Sequence, residues 1–422
     1  MTDLNRKRSI RCNAWLRSHS VLMLAAALSL TSGSAHGQQP AESQPPTAVA
    51  DEASQLKPDN SPEPLVDNNG FVLASSGRPL QLPADHRSHA ETGVEWWYLT
   101  GPLTGPDGEQ FGFQATWFRR GMVADVPDGR SPLATRDVIL FHGALTDVNA
   151  GTLTFAESAS RAYPPWAKAS TEKLEVHLFD QQLVDKAGQG LKASLSINLG
   201  ETQLLLDLDL QSSATLLHGE EPGLSVKGHE PGQASWYYSL PTVSAQGQLL
   251  RSGQPPLPVT GRAWLDHEFG SGPLASDQVG WDWFATVLDD GTEFMVYQLR
   301  RDDGSPATTS ALSLRQPGGQ LLHIGQSGFR ITPLSHWTSP ASNATYPSSW
   351  LLEVFDPPLT LRVSPEVADQ ELITTSTGVT YWEGLCRFEG LHNERPVQGL
   401  GYVELVGYAG SVADRFHTQD DF

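Results

Sequence analysis

The chain has 422 residues, with Lys+Arg 28 against Asp+Glu 48, a formal net charge of −20 and 39% hydrophobic residues. Such an acidic chain, with no long basic run, repels phosphate backbones, which disfavours nucleic-acid binding; two cysteines supply neither a disulfide framework nor a Cys-rich zinc site. The 12 Trp, 15 Phe and 9 Tyr carry ample apolar area for packed cores, and the length suits two domains.

The first segment reads as an export signal. Arg6, Lys7, Arg8, Arg11 and Arg17 precede an apolar run from Val21 to Leu30, and Ala35 and Gly37 suit a cleavage site before Gln38. A run of about ten residues is half of what a bilayer core requires, roughly 20. Residues 1–37 are therefore expected to be a cleaved signal peptide, and the mature chain to be periplasmic or otherwise exported, with no transmembrane span. Cys12 leaves with the signal, so Cys386 remains alone and no intramolecular disulfide forms. Residues 38–64 are rich in Pro, Ser, Gln and acidic side chains and read as a disordered leader.

From Leu65 onward short apolar runs recur between turn signals with almost no 3.6-residue periodicity, which predicts an all-β protein. Val94, Trp96 and Tyr98 alternate with Glu95, Trp97 and Leu99; Phe111, Phe113, Ala115 and Trp117 follow, across an Asp107-Gly108 hairpin turn. Leu204, Leu206, Leu208 and Leu210 share one face of another strand. Further strands are expected at 137–146, 152–157, 174–180, 191–199, 234–240, 279–288, 293–300, 309–315, 321–324, 350–355, 359–363, 380–389 and 398–408.

The two halves echo each other. Trp96-Trp97-Tyr98-Leu99, Asp107-Gly108-Glu109-Gln110-Phe111 and Arg119-Arg120 recur as Trp281-Asp282-Trp283-Phe284, Asp290-Gly291-Thr292-Glu293-Phe294 and Arg300-Arg301. Two related β-domains, 65–250 and 251–413, are expected, meeting within 245–262 where Gly247, Gly253, Pro255, Pro256 and Pro258 cluster.

The most unusual run is Trp264-Leu265-Asp266-His267-Glu268-Phe269-Gly270, which sets three titratable side chains in a row. In a strand Asp266 and Glu268 point to one face and His267 to the other. Asp282 is flanked by Trp281 and Trp283; a carboxyl in an indole-rich pocket loses hydration, its pKa rises, and it becomes a possible proton donor. The alternative is that these groups hydrogen-bond backbone at the domain junction, with the tryptophans as core. Glu95, beside two tryptophans, either pairs with an arginine such as Arg119 or lines a pocket. His86, His89 and Glu91 have a loosely metal-like spacing, but no fourth ligand follows in register and no metal is expected. No Gly-x-Ser-x-Gly elbow, Walker loop, His-Glu-x-x-His, dinucleotide fingerprint or Cys-x-x-Cys occurs.

Glu95-Trp96-Trp97-Tyr98 with Phe111-Gly112-Phe113-Gln114, Trp264-Leu265-Asp266-His267-Glu268 with Asp277 to Phe284, and Tyr381-Trp382-Glu383-Gly384 with Gly401-Tyr402-Val403-Glu404-Leu405 resemble the AttH/CrtC family. The resemblance spans about residues 65–410. It implies two lipocalin-like β-barrel domains packed side by side, few helices, and an apolar cavity or interdomain cleft lined by aromatic rings. Members of the family include hydratases of isoprenoid polyenes, pericyclases, and carriers with no shown chemistry. In the hydratases an acid protonates a carbon–carbon double bond, aromatic faces shield the carbocation, and water captures it. His267 falls at the hydratase-like Asp-His position, whereas Tyr297-Gln298 stands where an aspartate is expected. Asp266, His267, Glu268 and Asp282 are thus the candidate catalytic residues, and Glu95, Trp97, Trp281, Trp283, Tyr297 and Gln298 the candidate ligand-binding ones, with no cofactor. The leading expectation is an exported lipocalin-like protein that binds a hydrophobic lipid or isoprenoid and serves an envelope ABC export system through its permease and ATPase subunits. The other is a cofactor-independent hydratase, lyase or isomerase of the carotenoid 1,2-hydratase type.

Overall fold

The computed structural model describes residues 64–125, 135–189, 191–270 and 274–412. The expected signal peptide and all but the last residue of the expected leader lie outside them. No helix among the described residues is long and apolar enough to cross a membrane.

The protein is all-β, with helical structure limited to three short 3-10 turns among the described residues. The first sheet opens with β1 (Val94–Thr104), β2 (Gln110–Gly121), β3 (Asp137–Asp147) and β4 (Thr152–Arg161). It continues through β5 (Ala167–Ala169), β6 (Glu175–Leu178), β7 (Gln181–Asp185), β8 (Lys192–Asn198) and β9 (Thr202–Asp209). Two short strands, β10 (Leu216–Leu217) and β11 (Leu224–Val226), and the long hairpin β12 (Ala234–Arg251) and β13 (Leu257–Gly270) complete it. The order is β4-β3-β2-β1-β13-β12-β9-β8-β7-β6-β5, with β10 and β11 on β12. The end strands curl until β3 and β4 pack against β5 and β6, so the sheet is a nearly closed barrel.

The second sheet is built from β14 (Gln278–Val287), β15 (Glu293–Arg301), β16 (Ala311–Arg315), β17 (Leu321–Gly325) and β18 (Phe329–Thr338). These are followed by β19 (Thr345–Val354), β20 (Leu359–Pro365), β21 (Glu371–Ile373), β22 (Thr380–His392) and β23 (Arg395–Val406). Its order is β17-β16-β15-β14-β23-β22-β20-β19-β18, a half-barrel. This is the lipocalin-like architecture that the resemblance implies.

The internal echo has a structural counterpart. β1–β2 and β14–β15 are the leading hairpins of their sheets, turning through Gly108 (φ +85°) and Gly291 (φ +87°), a conformation that glycine adopts without steric cost. Each first strand then pairs on its other side with the last strand of its own sheet, β13 or β23. The expected boundary at 250/251 needs correction. The Gly- and Pro-rich stretch is the bend between β12 and β13, which pair with each other from Ser235↔Gly270 to Leu249↔Leu257. The chain leaves the first sheet only after Gly270 and enters the second at Gln278.

Each sheet has its own packed apolar interior. Trp97, Trp117, Phe113 and Phe141 fill the first together with the inward leucines of β9, and Trp350, Trp382, Tyr346 and Phe388 fill the second. A third buried cluster, with Tyr98, Tyr237, Trp264, Trp283, Tyr297, Tyr381 and Tyr402, lies along the seam where outward faces of the two sheets meet. The seam is tight at Gly112, where a Cβ would fall 2.5 Å from the Tyr402 hydroxyl and 2.8 Å from Leu385 Cβ.

Candidate active site

The period-2 alternation of β13 sorts its side chains between two buried environments. Leu265, His267 and Phe269 turn into the first barrel; Trp264, Asp266 and Glu268 turn out to the seam. Across the seam β14 presents Trp281 and Trp283, β15 presents Tyr297 and Leu299, and β22 and β23 present Tyr381 and Glu404. With Trp96, Tyr98, Phe118, Lys227 and Tyr237 from the first sheet, they line a partly open pocket of about 130 Å³. That volume is close to the engineered cavity of about 150 Å³ known to hold benzene, so one ring or a five-carbon terminus fits.

Asp266 is 3% exposed and accepts hydrogen bonds from the Tyr237 hydroxyl at 2.5 Å, Trp264 Nε1 at 2.6 Å and the Ser239 hydroxyl. Burial outweighs these three donors, and the nearby Glu268 adds to it, so its pKa is pushed up to about 7. Glu404 accepts one bond, from Trp281 Nε1 at 2.8 Å, and burial, with Asp266 and Glu268 nearby, likewise carries it up to about 7. Its cross-strand neighbour Glu383 is held well above the usual carboxyl range by burial and by Glu404. Asp266 and Glu404 therefore titrate near neutral pH, where a share of the molecules still carries protons on the pocket carboxyls.

The pocket also already holds a cation. Lys227 Nζ lies 3.2 Å from Glu268 Oε1, 4.2 Å from the centre of the Tyr297 ring and 5.2 Å from that of Tyr237. Burial alone would lower its pKa, but Glu268, Tyr297 and Asp266 together outweigh burial and keep the ammonium above its ordinary value. Glu268 and the ring faces of Tyr297 and Tyr237 thus surround positive charge in a largely apolar chamber, an arrangement that stabilises a cation more strongly than water-exposed rings do.

The other expected site residues lie elsewhere. Glu95, wholly buried, faces the first barrel's interior, where Arg119 Nε donates at 2.8 Å, Ser88 Oγ at 2.7 Å and the His89 backbone N–H at 2.9 Å. His267 Nε2 is 3.0 Å from it, and the imidazole stacks on Trp97 with ring centroids 4.9 Å apart. Burial would raise the Glu95 pKa, but Arg119, His267 and His89 overcome it and hold the carboxyl well below its usual range. Glu95, Trp97 and His267 are therefore part of the barrel's internal scaffold and do not line the pocket. Asp282 points into the second sheet's interior, paired with Arg300 and accepting from the Tyr408 hydroxyl at 3.0 Å; Gln298 is its cross-strand partner and also lies outside the pocket. Asp266, Glu268, Trp281, Trp283 and Tyr297 do come together.

Among the described residues, His89, Glu95 and His267 bring potential metal-ligand atoms together. His89 Nδ1 and His267 Nε2 each already hydrogen-bond Glu95 Oε1, and Arg119 supplies the positive charge beside that carboxylate. The chemistry of this set is that of an ion-pair network.

Sequence reasoning missed Lys227, Tyr237, Tyr381 and Glu404 as site residues. Two were within reach: Tyr381-x-Glu383 and Tyr402-x-Glu404 place a phenol and a carboxyl on one strand face in each case. Lys227 follows a three-residue strand and carries no local signal.

The fold and the site define a lipocalin-like double-sheet protein with an acidic, aromatic pocket at its seam. The AttH-like family model matches residues 73–408, and the chain belongs to that family. A crystal structure assigned as an AttH from Nitrosomonas europaea superposes with TM-score 0.72 at 32% identity, covering 80% of this chain and 100% of that one. The crystal structure of kievitone hydratase from Nectria haematococca shares the fold with TM-score 0.61 at 17% identity, covering 82% of this chain and 96% of that one. Kievitone hydratase of Fusarium solani subsp. phaseoli is 22% identical over 182 residues, 41% of this chain and 49% of that relative, so the match spans about half its length.

Proposed function

We propose that the protein is a cofactor-independent hydratase or lyase that adds water to, or removes it from, an alkene-bearing terminus of an apolar, isoprenoid-type molecule. The observation that carries this reading is the pair of pocket carboxyls, Asp266 and Glu404, whose pKa values burial raises to about 7 among aromatic rings, so that protonated carboxyls persist to near neutral pH. A pure binder of oily molecules has no use for buried acids, which cost stability whenever they ionise. An alkene hydratase needs them: a neutral carboxyl protonates the double bond, and the faces of Trp281, Trp283 and Tyr297 shield the tertiary cation until water captures it. The likeness to proteins named as hydratases supports the same reading.

The test is incubation of the purified protein with prenylated and polyene compounds in H₂¹⁸O. The expected result is an alcohol carrying the heavy oxygen. Tight binding of such compounds with no labelled product would reassign the protein as a carrier, the role that suits delivery to an envelope ABC system.

We further propose that the reaction takes place outside the cytoplasm, on the strength of the basic and then apolar amino-terminal run. Amino-terminal sequencing of the protein from a periplasmic fraction is expected to begin near Gln38; a full-length chain retained in the cytosol would refute export.

A further inference from the structure

Hydration of an alkene requires two proton movements: one onto carbon from an acid, and one off the captured water. The pocket carboxyls provide the first. The second requires an acceptor, and besides the carboxylate that the first step leaves behind, a connected row of hydrogen bonds leads out of the pocket from Tyr381. Its hydroxyl lies 2.9 Å from His142 Nδ1. His142 Nε2 lies 3.0 Å from Ser376 Oγ, and Ser376 Oγ donates to Glu157 Oε2 at 2.6 Å. Tyr381 is 4% exposed and lines the pocket, His142 is 1% exposed, and Glu157 is half-buried at the surface beside exposed Thr375.

The direction of each bond follows from the ends. Glu157 accepts from the Ser376 and Thr375 backbone N–H groups and from both hydroxyls, and those bonds outweigh burial and hold its pKa down to about 2, so it is an acceptor only. Ser376 thus spends its single proton on Glu157, and its oxygen accepts from His142 Nε2–H. Burial holds the His142 pKa down to about 4, so the imidazole is neutral. With its proton on Nε2, Nδ1 accepts from Tyr381. Every donor in the row points outward.

We propose that Tyr381, His142, Ser376 and Glu157 form a proton line that deprotonates the attacking water. This proposal rests on the hydratase reading. As water bonds to the carbocation, one of its O–H bonds breaks and the proton joins the Tyr381 oxygen. The Tyr381 proton passes to His142 Nδ1, the Nε2 proton to Ser376 Oγ, and the Ser376 proton to Glu157, which releases it to solvent; before the next turnover the carboxyl that protonated carbon takes a proton from solvent and His142 returns to its Nε2–H tautomer. The transfers run together, because neither a free phenolate nor an isolated imidazolium is stable in this buried position. A weak acceptor suffices, since a cation-bound water is a strong acid. Tyr381 touches the reacting water and is catalytic; His142 and Ser376 act through it.

Product partition tests the line. A cation that fails to capture and deprotonate water loses a proton from carbon and leaves as a rearranged alkene. Ser376→Ala and His142→Phe are expected to lower the ratio of alcohol to rearranged alkene about 100-fold, the lower end of the range for general-base removal, with KM unchanged. Ser376 lies in a partly exposed loop, so its variant keeps the test open should His142→Phe fail to fold. A parent-like ratio in a folded Ser376→Ala variant overturns the line while leaving the hydratase reading intact. A parent that makes no alcohol from any alkene overturns the hydratase reading and the line with it. Nitrogen NMR of His142 gives a second check: the Nε2–H tautomer is expected, and an Nδ1–H tautomer would reverse the row and refute it.

Discussion

A Glu404→Gln variant is expected to turn over substrate about 10²- to 10⁴-fold more slowly than the parent while still binding it, the loss usual for removal of a general acid. Gln is the informative replacement, because its amide oxygen can keep the one bond that Trp281 Nε1 donates. Asn at Asp266 is less clean: three donors converge on that carboxyl, and an amide NH₂ would oppose one of them. The acid works only when protonated, so the parent's rate is expected to fall as pH rises through about 7, the value to which burial carries Glu404.

The same shift has a stability consequence of defined sign. Folding raises the Glu404 pKa from 4.5 to about 7, so between those values the native state holds a proton that the unfolded chain has released. Stability therefore falls as pH rises across that window, and above about 7 the full cost, up to about 3 kcal/mol, is present. Contact with solvent at the pocket mouth makes this an upper bound. Glu404→Gln removes the cost. Urea titrations are expected to find parent and variant alike at pH 4.5 and the variant more stable at pH 8. A slow variant that gained nothing at pH 8 would place the Glu404 carboxyl in water.

Arg119→Met is expected to destabilise the protein by about 3–5 kcal/mol, the usual cost of removing one partner from a buried ion pair. The guanidinium contacts Glu95, Asp137 and the backbone oxygens of His89 and Thr92, so its loss leaves an uncompensated carboxylate in a dry interior. That is a large share of a typical folding free energy of about 5–15 kcal/mol. Adding Glu95→Gln is expected to restore part of the loss by chemical denaturation. Neither residue lines the pocket, so activity per folded molecule is expected to persist; its disappearance would return Glu95 to the active site.

The alternation of Asp266, His267 and Glu268 was legible because one strand permits only two faces, and the β14 tryptophans were legible for the same reason. Parity also misled. Glu95 and Trp97 were grouped with the ligand, yet on β1 it is Trp96 and Tyr98 that reach the seam, one residue out of step. The Gly- and Pro-rich run at 247–258 marks a reversal of chain direction, which turn residues also produce within a single sheet. No strand was expected across β18, since Pro333 interrupts it and most of its side chains are exposed, as befits an edge. Glu404 and Asp266 meet only through the pairing of β23 with β14 and the docking of two sheets, and no local pattern encodes that.

Since each sheet packs its own interior, the walls of the cleft are built from side chains that neither interior uses. Exchanging a ring on the outward face of β14 or β15 alters the shape offered to a guest while leaving the interiors of the two sheets as they are. The architecture separates tolerance from chemistry, and new guests can be accommodated by natural variation while the acids stay where they are.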